Sequence, residues 1–132
     1  MKENTVPDIT ITITIEENFI VLFASGNYPL SNANYLFKHS IDSALLHNKR
    51  KILIDVRNIK GTIPFIDRFQ FAENLANYKA EHALAKVNKI AVVGYEPIIH
   101  KDKFGETVAV NRGVNARTFT EMSNALIWLT EE

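Results

Sequence analysis

The polar residues best suited to binding or catalysis lie at the ends of three short segments, which the sequence predicts as parallel strands. These segments end at Asp55–Val56, Val93–Gly94 and Arg117–Thr118. Open α/β sheets bind their ligands beyond the carboxyl ends of the parallel strands. We therefore predict a binding rim of cationic, amide, hydroxyl and imidazole groups at that edge. Its members are Asp55, Arg57, Asn58, Lys60, Gly61, Thr62, Arg68, Tyr95 and His100.

Three members of this rim have both a chemical and a structural interpretation. Thr62 could accept a phosphoryl group at a helix N-terminus, where backbone N–H groups favour an anion, or it could simply cap that helix. Asp55 could be a catalytic acid, or it could accept N–H bonds and hold the turn after its strand. Arg68 could bind an anion or pair with a residue elsewhere on the fold. In each case the sequence favours the structural interpretation.

No established catalytic or cofactor motif accompanies the rim. The four histidines have no metal-ligand spacing, and the chain has no cysteine to supply a thiolate or a disulfide. The sequence contains no G-x-S-x-G nucleophile elbow. Gly94 and Gly105 form neither a P-loop nor a dinucleotide fingerprint. We therefore expect no metal, no cofactor and no enzymatic activity.

The composition argues against several functional classes. In 132 residues, 15 Lys and Arg balance 15 Asp and Glu, so the formal net charge is zero. That balance differs from the basic footprint of a nucleic-acid-binding domain. The first residues lack the apolar core of a signal peptide, and no apolar run approaches the ~18 residues of a membrane span. We expect one cytoplasmic domain over residues 1–132, without nucleic acid and without a membrane span.

Hydrophobic periodicity predicts the strands that position the rim. Residues Ile9–Ile15 alternate isoleucine with threonine, which is typical of a half-buried strand. Phe19–Ala24 is predicted as its hairpin partner. Further strands are predicted at Lys51–Val56, Lys89–Val93 and Asn115–Thr118.

Four helices are predicted between and after these strands. The first is capped by Ser31 and closed by the cationic segment His47–Arg50, the second runs from Pro64 to Ala85, a third stops before Gly113, and Thr120 caps the last. Helices that alternate with strands predict parallel pairing. The sequence therefore predicts an α/β fold, with a small mixed sheet of an N-terminal hairpin plus parallel strands, covered by about four helices.

Short motifs distributed along the chain carry a family resemblance. They are Ile54–Asp55, Gly61, Asp67–Phe69, Lys89–Gly94, Phe104–Gly113, Phe119 and Ala125–Leu129. Taken together with the element order, they resemble the SpoIIAA-like branch of the STAS superfamily. STAS domains occur in sulphate transporters and anti-sigma-factor antagonists, and this branch is often linked to the SEC14 lipid-carrier fold.

The resemblance implies a regulatory role without a defined reaction. In anti-sigma antagonists, the helix after the central strand begins with an Asp-Ser-Ser/Thr-Gly motif whose serine is phosphorylated. The matching residues here, Asn58–Pro64, lack that motif, and Thr62 is the one hydroxyl near the position. Thr62 is therefore the candidate phospho-acceptor. We expect a non-enzymatic STAS-like interaction module without the usual phosphoserine switch.

Two kinds of binding follow from this expectation. The first is a protein partner or self-association as a homodimer, for which Phe71 and Tyr78 on one helix stripe would form a surface. The alternative is a carrier of a small apolar ligand or lipid, which needs a closed apolar cavity of at least ~300 Å³. Aromatic residues that could line such a cavity are Phe65, Phe69, Phe71, Tyr78 and Trp128.

Overall fold

The computed structural model describes residues 9–28, 30–64, 66–70, 73–74, 77, 87–99, 110 and 115–131. Five strands are present in this part of the chain: β1 (Ile9–Ile15), β2 (Ile20–Asn27), β3 (Lys51–Lys60), β4 (Lys89–Val93) and β5 (Ala116–Phe119). Helix α1 spans Leu30–Leu46, and the C-terminal helix, α3, spans Met122–Thr130. Helix α2 is described at residues 66–70, 73–74 and 77.

The five strands form one mixed sheet in the order β1-β2-β3-β4-β5. β1 is antiparallel to β2, whereas β2, β3, β4 and β5 are parallel to one another. The predicted α/β fold, a hairpin joined to parallel strands, is confirmed. Three helices are traced over the described ranges, where the sequence predicted about four. Of the predicted helix before Gly113, only Val110 is described, and it is helical.

The two faces of the sheet bury separate apolar clusters, because successive side chains of a strand point to opposite faces. On the first face, residues such as Leu22, Ile52 and Ile54 pack with α1, and Phe69 of α2 lies against the same cluster. On the second face, residues such as Leu53 pack with α3. Complete burial of one such side chain stabilises the fold by ~1.5–3 kcal/mol. Burial on both faces explains why β3 and β4 read as continuous apolar runs.

The edge strand β1 is buried on one face only. Ile9, Ile11 and Ile13 lie partly buried against the first cluster, and the intervening threonines are exposed. The sequence placed Ile15 with the other isoleucines, but it is 48% exposed at the end of the strand. The alternation therefore predicted the strand correctly and overestimated the burial of its last residue.

Helix α1 ends differently from the prediction. Its last turn contains no basic residue, and the chain turns at Asn48, which has a φ of 60°. The Lys49 N–H donates to the Ala44 carbonyl at 2.8 Å, and the Asn48 N–H donates to Leu45 at 3.2 Å. This pair of bonds is a Schellman termination, for which asparagine tolerates the left-handed conformation. Backbone geometry, rather than the cations of His47–Arg50, ends the helix.

The N-termini of α3 and α1 also differ from the predicted caps. Glu121, rather than Thr120, occupies the N-cap of α3, and its side chain makes no capping hydrogen bond. At the other end, the Lys89 ammonium donates to the carbonyls of Trp128 at 2.7 Å and Glu131 at 3.0 Å. A cation at a helix C-terminus is favourable. Ser31, the predicted cap of α1, lies inside a helix that already begins at Leu30.

Candidate functional site

Two neighbouring strands are longer than predicted, and their added residues form much of the rim. The sequence predicted that β3 stops at Val56 and that Arg57–Thr62 is a loop, but Arg57–Lys60 continue the strand. β2 likewise extends past Ala24 to Asn27. The periodicity of apolar residues did not predict the ends of β2 and β3, because the residues there are largely polar. They are kept extended by the pairing between the two strands.

These strand ends form a two-stranded extension of the sheet. The parallel ladder between β2 and β3 runs as far as Asn27 beside Lys60. β4 pairs with β3 only as far as Val93 beside Asp55. A register shift before Ser25 places one extra residue in β3, and such bulges re-aim side chains. The polar ends of β2 and β3 therefore project beyond β4.

Asp55 and Arg57 form a closely bonded ion pair at the base of this extension. The Arg57 side chain donates from Nε to Asp55 Oδ1 at 3.0 Å and from Nη2 to Oδ2 at 2.7 Å. The Arg57 backbone N–H also donates to Oδ1, at 3.0 Å. Asp55 is buried at 6% exposure, whereas the Arg57 side chain is 34% exposed. A bidentate pair of this kind fixes the guanidinium in one orientation.

Tyr95 extends this pair toward the loop after β4. The hydrogen bond to Asp55 raises the pKa of Arg57, burial opposes that rise, and a further hydrogen bond to Tyr95 adds to it. Tyr95 is exposed, so the cluster connects a buried carboxylate to the surface. Both carboxylate oxygens of Asp55 are engaged by Arg57. This geometry corresponds to the structural interpretation of Asp55, in which it orients its neighbour.

A groove of ≈ 650 Å³ lies along the projecting strand ends. Its lining combines hydroxyl, amide, glycine and cationic groups. The lining residues are Ser25, Gly26, Asn27, Arg57, Asn58 and Lys60. The polar lining suits hydrogen bonding to a partner surface, and it does not form the closed apolar cavity that a lipid carrier requires.

The segment that leaves β3 is held close to the end of β2. The Tyr28 N–H donates to the Lys60 carbonyl at 2.8 Å. Gly61 follows with a φ of +124°, and a Cβ on it would lie 3.1 Å from the Tyr28 Cβ. Glycine is therefore favoured at this turn by its backbone conformation, and a Cβ would in addition crowd Tyr28.

Tyr28 also joins the end of β2 to α2. Its hydroxyl donates to Asp67 Oδ2 at 2.9 Å. Burial first, and then the bond to the Asp67 carboxylate, raise the pKa of the Tyr28 hydroxyl above its ordinary value. The phenol therefore remains a proton donor to Asp67 and tethers the beginning of α2.

The remaining predicted rim residues occupy different positions. Thr62 is exposed in the connection to α2. The hydrogen bonds that begin α2 go to the Pro64 carbonyl, from the N–H groups of Asp67 and Arg68. Arg68 is half-buried on α2. His100 lies outside the described residues, as do Phe65, Phe71 and Tyr78 of the predicted aromatic set.

Five residues of this site were not predicted. Ser25, Gly26 and Asn27 line the groove, and Tyr28 and Asp67 form the tether to α2. The carboxyl ends of adjacent parallel strands share one edge of the sheet, so the missing information was the position of β2 in the strand order. Assigning β2 as the parallel neighbour of β3 would have placed Ser25–Tyr28 beside the rim.

Within the described ranges, no group of three or more His, Cys, Asp or Glu side chains could hold a metal ion. A search of those same ranges also finds no helix with the length and apolar character needed to cross a membrane.

Comparison with known proteins identifies the type of fold. An anti-sigma factor antagonist from Mycobacterium paratuberculosis superimposes with a TM-score of 0.60 at 16% identity, over 97% of this chain and 100% of the other. An uncharacterized DUF3478-family protein with a SpoIIAA-like fold, from Shewanella loihica PV-4, superimposes with a TM-score of 0.54 at 19% identity, over 98% of each chain. The chain therefore has a SpoIIAA-like, STAS-type fold.

No family model matches the sequence, and no curated protein matches it. The similarity to solved structures therefore shows how the chain folds, and the function has to be argued from the site.

Proposed function

We propose that this chain is a non-enzymatic, STAS-like regulatory module that binds a protein partner through the projecting ends of β2 and β3. The observation that carries this proposal is the polar groove along those ends. Arg57 is oriented there by buried Asp55, and Asn58 and Lys60 are exposed beside it. The Mycobacterium paratuberculosis protein of similar fold is an antagonist of another protein, which supports a protein as the partner.

The arrangement favours binding over catalysis. Catalysis by Asp55 would need a carboxyl that is free to exchange a proton with a substrate, but its two oxygens accept hydrogen bonds from Arg57. The groups left facing the groove are amides, a hydroxyl and cations, which hydrogen-bond to a partner without reacting with it. A fixed guanidinium also binds at a lower entropic cost than a mobile one.

Regulation in this proposal does not use the serine switch of the anti-sigma antagonists. The loop before α2 lacks the Asp-Ser-Ser/Thr-Gly motif, and its one hydroxyl belongs to Thr62. Thr62 remains the candidate phospho-acceptor, and its exposed position leaves it accessible to a kinase. A phosphate there would add a charge of about −1.5 to −2 beside the groove. That charge would alter how the surface accepts a partner.

The proposal is tested by finding a partner through the groove and then measuring its affinity. A photo-crosslinking residue at position 58 would capture the partner in the source cells, and the same residue at exposed position 38 on α1 would serve as the control. The purified partner is then titrated against Lys60→Glu and against Lys38→Glu, which makes the same charge change elsewhere. We expect Lys60→Glu to weaken binding at least about tenfold, or ~1.4 kcal/mol, and Lys38→Glu to leave it unchanged. Equal affinity for both variants would refute the proposed surface.

A further inference from the structure

In the part of the chain that the structure describes, the two edges of the sheet are β1 and β5, and β5 alone carries a protecting feature. An open edge presents unpaired N–H and C=O groups that can pair with another chain, so proteins shorten it, charge it or interrupt it. β5 has four residues and carries Arg117. β1 has seven residues, none of them charged or proline, and pairs with β2 in an unbroken register from Ile9 to Ile15. Within the described residues, no strand pairs with the outer side of β1.

The outward-facing backbone groups of β1 belong to its isoleucines. The Glu16 N–H donates to the Phe19 carbonyl at 2.9 Å across the hairpin. In an antiparallel pair, hydrogen-bonded positions alternate along the strand, so Thr14, Thr12 and Thr10 direct their N–H and C=O groups to β2. The intervening isoleucines therefore direct theirs to the open side, and the edge offers a regular row of donors and acceptors.

The sequence of this edge is symmetric about Thr12. Read from either end it is Ile-Thr-Ile-Thr-Ile-Thr-Ile. A second copy placed antiparallel, with its own Thr12 opposite Thr12, sets isoleucine against isoleucine and threonine against threonine over the whole strand. The outward isoleucines fall in hydrogen-bonded pairs in that register. Contacts that are identical on both partners are the condition for a closed twofold dimer.

We propose that two copies of this chain associate through their β1 strands into one continuous sheet, with the twofold axis beside Thr12. The apolar faces of the two copies then join, because a register that opposes like residues keeps every isoleucine on the same side. Ile15, 48% exposed in the single chain, lies opposite Ile9 of the second copy. The zero formal net charge of the chain leaves no overall repulsion between the copies. This interface is separate from the groove and does not rest on the proposed function.

The test uses charge at the symmetry axis. Thr12 is exposed and directs its side chain away from the first cluster, so Thr12→Lys and Thr12→Glu should fold normally. In the dimer each substituted side chain faces its own copy, with Cβ atoms ~4.5–5.5 Å apart. Like charges at that distance should weaken dimerisation by up to about fivefold. A mixture of the two variants should restore it, because lysine then faces glutamate.

Sedimentation equilibrium and native mass spectrometry would measure the outcome, with Ser123→Lys at an exposed position of α3 as the control. We expect wild type and the control to form dimers of 15.0 kDa chains, each single variant to dimerise more weakly, and the mixture to form mixed dimers. Circular dichroism melts confirm that all variants are folded. A wild-type protein that is still monomeric at about 0.1 mM overturns the proposal. A dimer with a Kd of ~1 μM would be almost fully associated at that concentration. A dimer that Thr12→Lys does not weaken overturns it as well.

Discussion

At the residue scale, the site depends on a buried carboxylate that holds a partly exposed cation. Asp55 lies in the interior of β3, where an unpaired charge would be costly, and Arg57 supplies its hydrogen bonds from two positions further along the same strand. Asp55 can therefore be charged in the interior because Arg57 pairs with it, and Arg57 is held in one orientation because Asp55 accepts its hydrogen bonds. The pair stabilises the end of β3 and fixes the orientation of the Arg57 guanidinium, which lines the groove.

This dependence predicts strong coupling between the two residues. Arg57→Met removes the two guanidinium donors of the buried Asp55 carboxylate and leaves only the backbone N–H of residue 57, and we expect it to lower the free energy of unfolding by about 1–3 kcal/mol. The cost is below the 3–5 kcal/mol of a fully buried pair, because the Arg57 side chain is 34% exposed. Asp55→Asn combined with Arg57→Met should cost less than the sum of the two single changes. Urea unfolding of the four proteins measures this cycle, and additive effects would show that the pair is not coupled.

At the scale of elements, β2, β3 and α2 meet at one residue, Tyr28. Its backbone bonds to the end of β3 and its hydroxyl bonds to Asp67 on α2. The segment between Gly61 and Pro64 is thus held at both of its ends. This tether fixes the position of Thr62 relative to the ends of β2 and β3, which form the groove.

The tether predicts a pH dependence that Tyr28→Phe should remove. Because the pKa of Tyr28 is raised in the folded state, its contribution is fully present below the ordinary pKa of 10.0 and declines as the pH rises further. Near neutral pH, Tyr28→Phe should cost about 1 kcal/mol. The stability difference from wild type should shrink as the pH rises above 10.0. Chemical denaturation at a series of pH values measures it.

This test has a control variant and an outcome that would contradict the prediction. Tyr35→Phe removes a hydroxyl from an exposed tyrosine on α1 and should alter stability near neutral pH by less than ~0.5 kcal/mol. A constant separation between wild type and Tyr28→Phe across the alkaline range would show that the phenol does not donate to Asp67 in solution.

The elements were predictable from sequence where burial dictates them. Alternation marked β1, and apolar runs marked β4 and the first part of β3, because both patterns follow from which faces are covered. The ends of β2 and β3 were not predictable in this way, since their polar residues are kept extended by their neighbour in the sheet. The end of α1 was predicted close to its position but for the wrong reason, because Asn48 terminates the helix through backbone geometry.

The candidate site was predictable to a similar extent. Asp55, Arg57 and Tyr95 were expected on one rim because they follow neighbouring strands, and the structure brings these three together. Ser25 and Tyr28 were missed, because the order of strands in a sheet is a long-range property that local patterns do not contain. The roles of all these residues in partner binding remain predictions.

At the scale of the whole molecule, the chain has a SpoIIAA-like fold over nearly its full length, at an identity below one in five residues. The fold is thus shared although few residues are identical. The fold supplies two surfaces with distinct chemistry. The polar groove is proposed to receive a protein partner, and the uncharged edge of β1 is proposed to receive a second copy.

The measurement that tests the central claim most directly is hydrogen–deuterium exchange of the chain with and without its purified partner. We predict that the partner slows exchange in peptides covering residues 25–28 and 57–63, because these residues form the groove and its connection to α2. Peptides from the outer turns of α1 and α3 should exchange at the same rate in both states. Protection confined to those helices, with the projecting strand ends unchanged, would contradict the proposed binding surface.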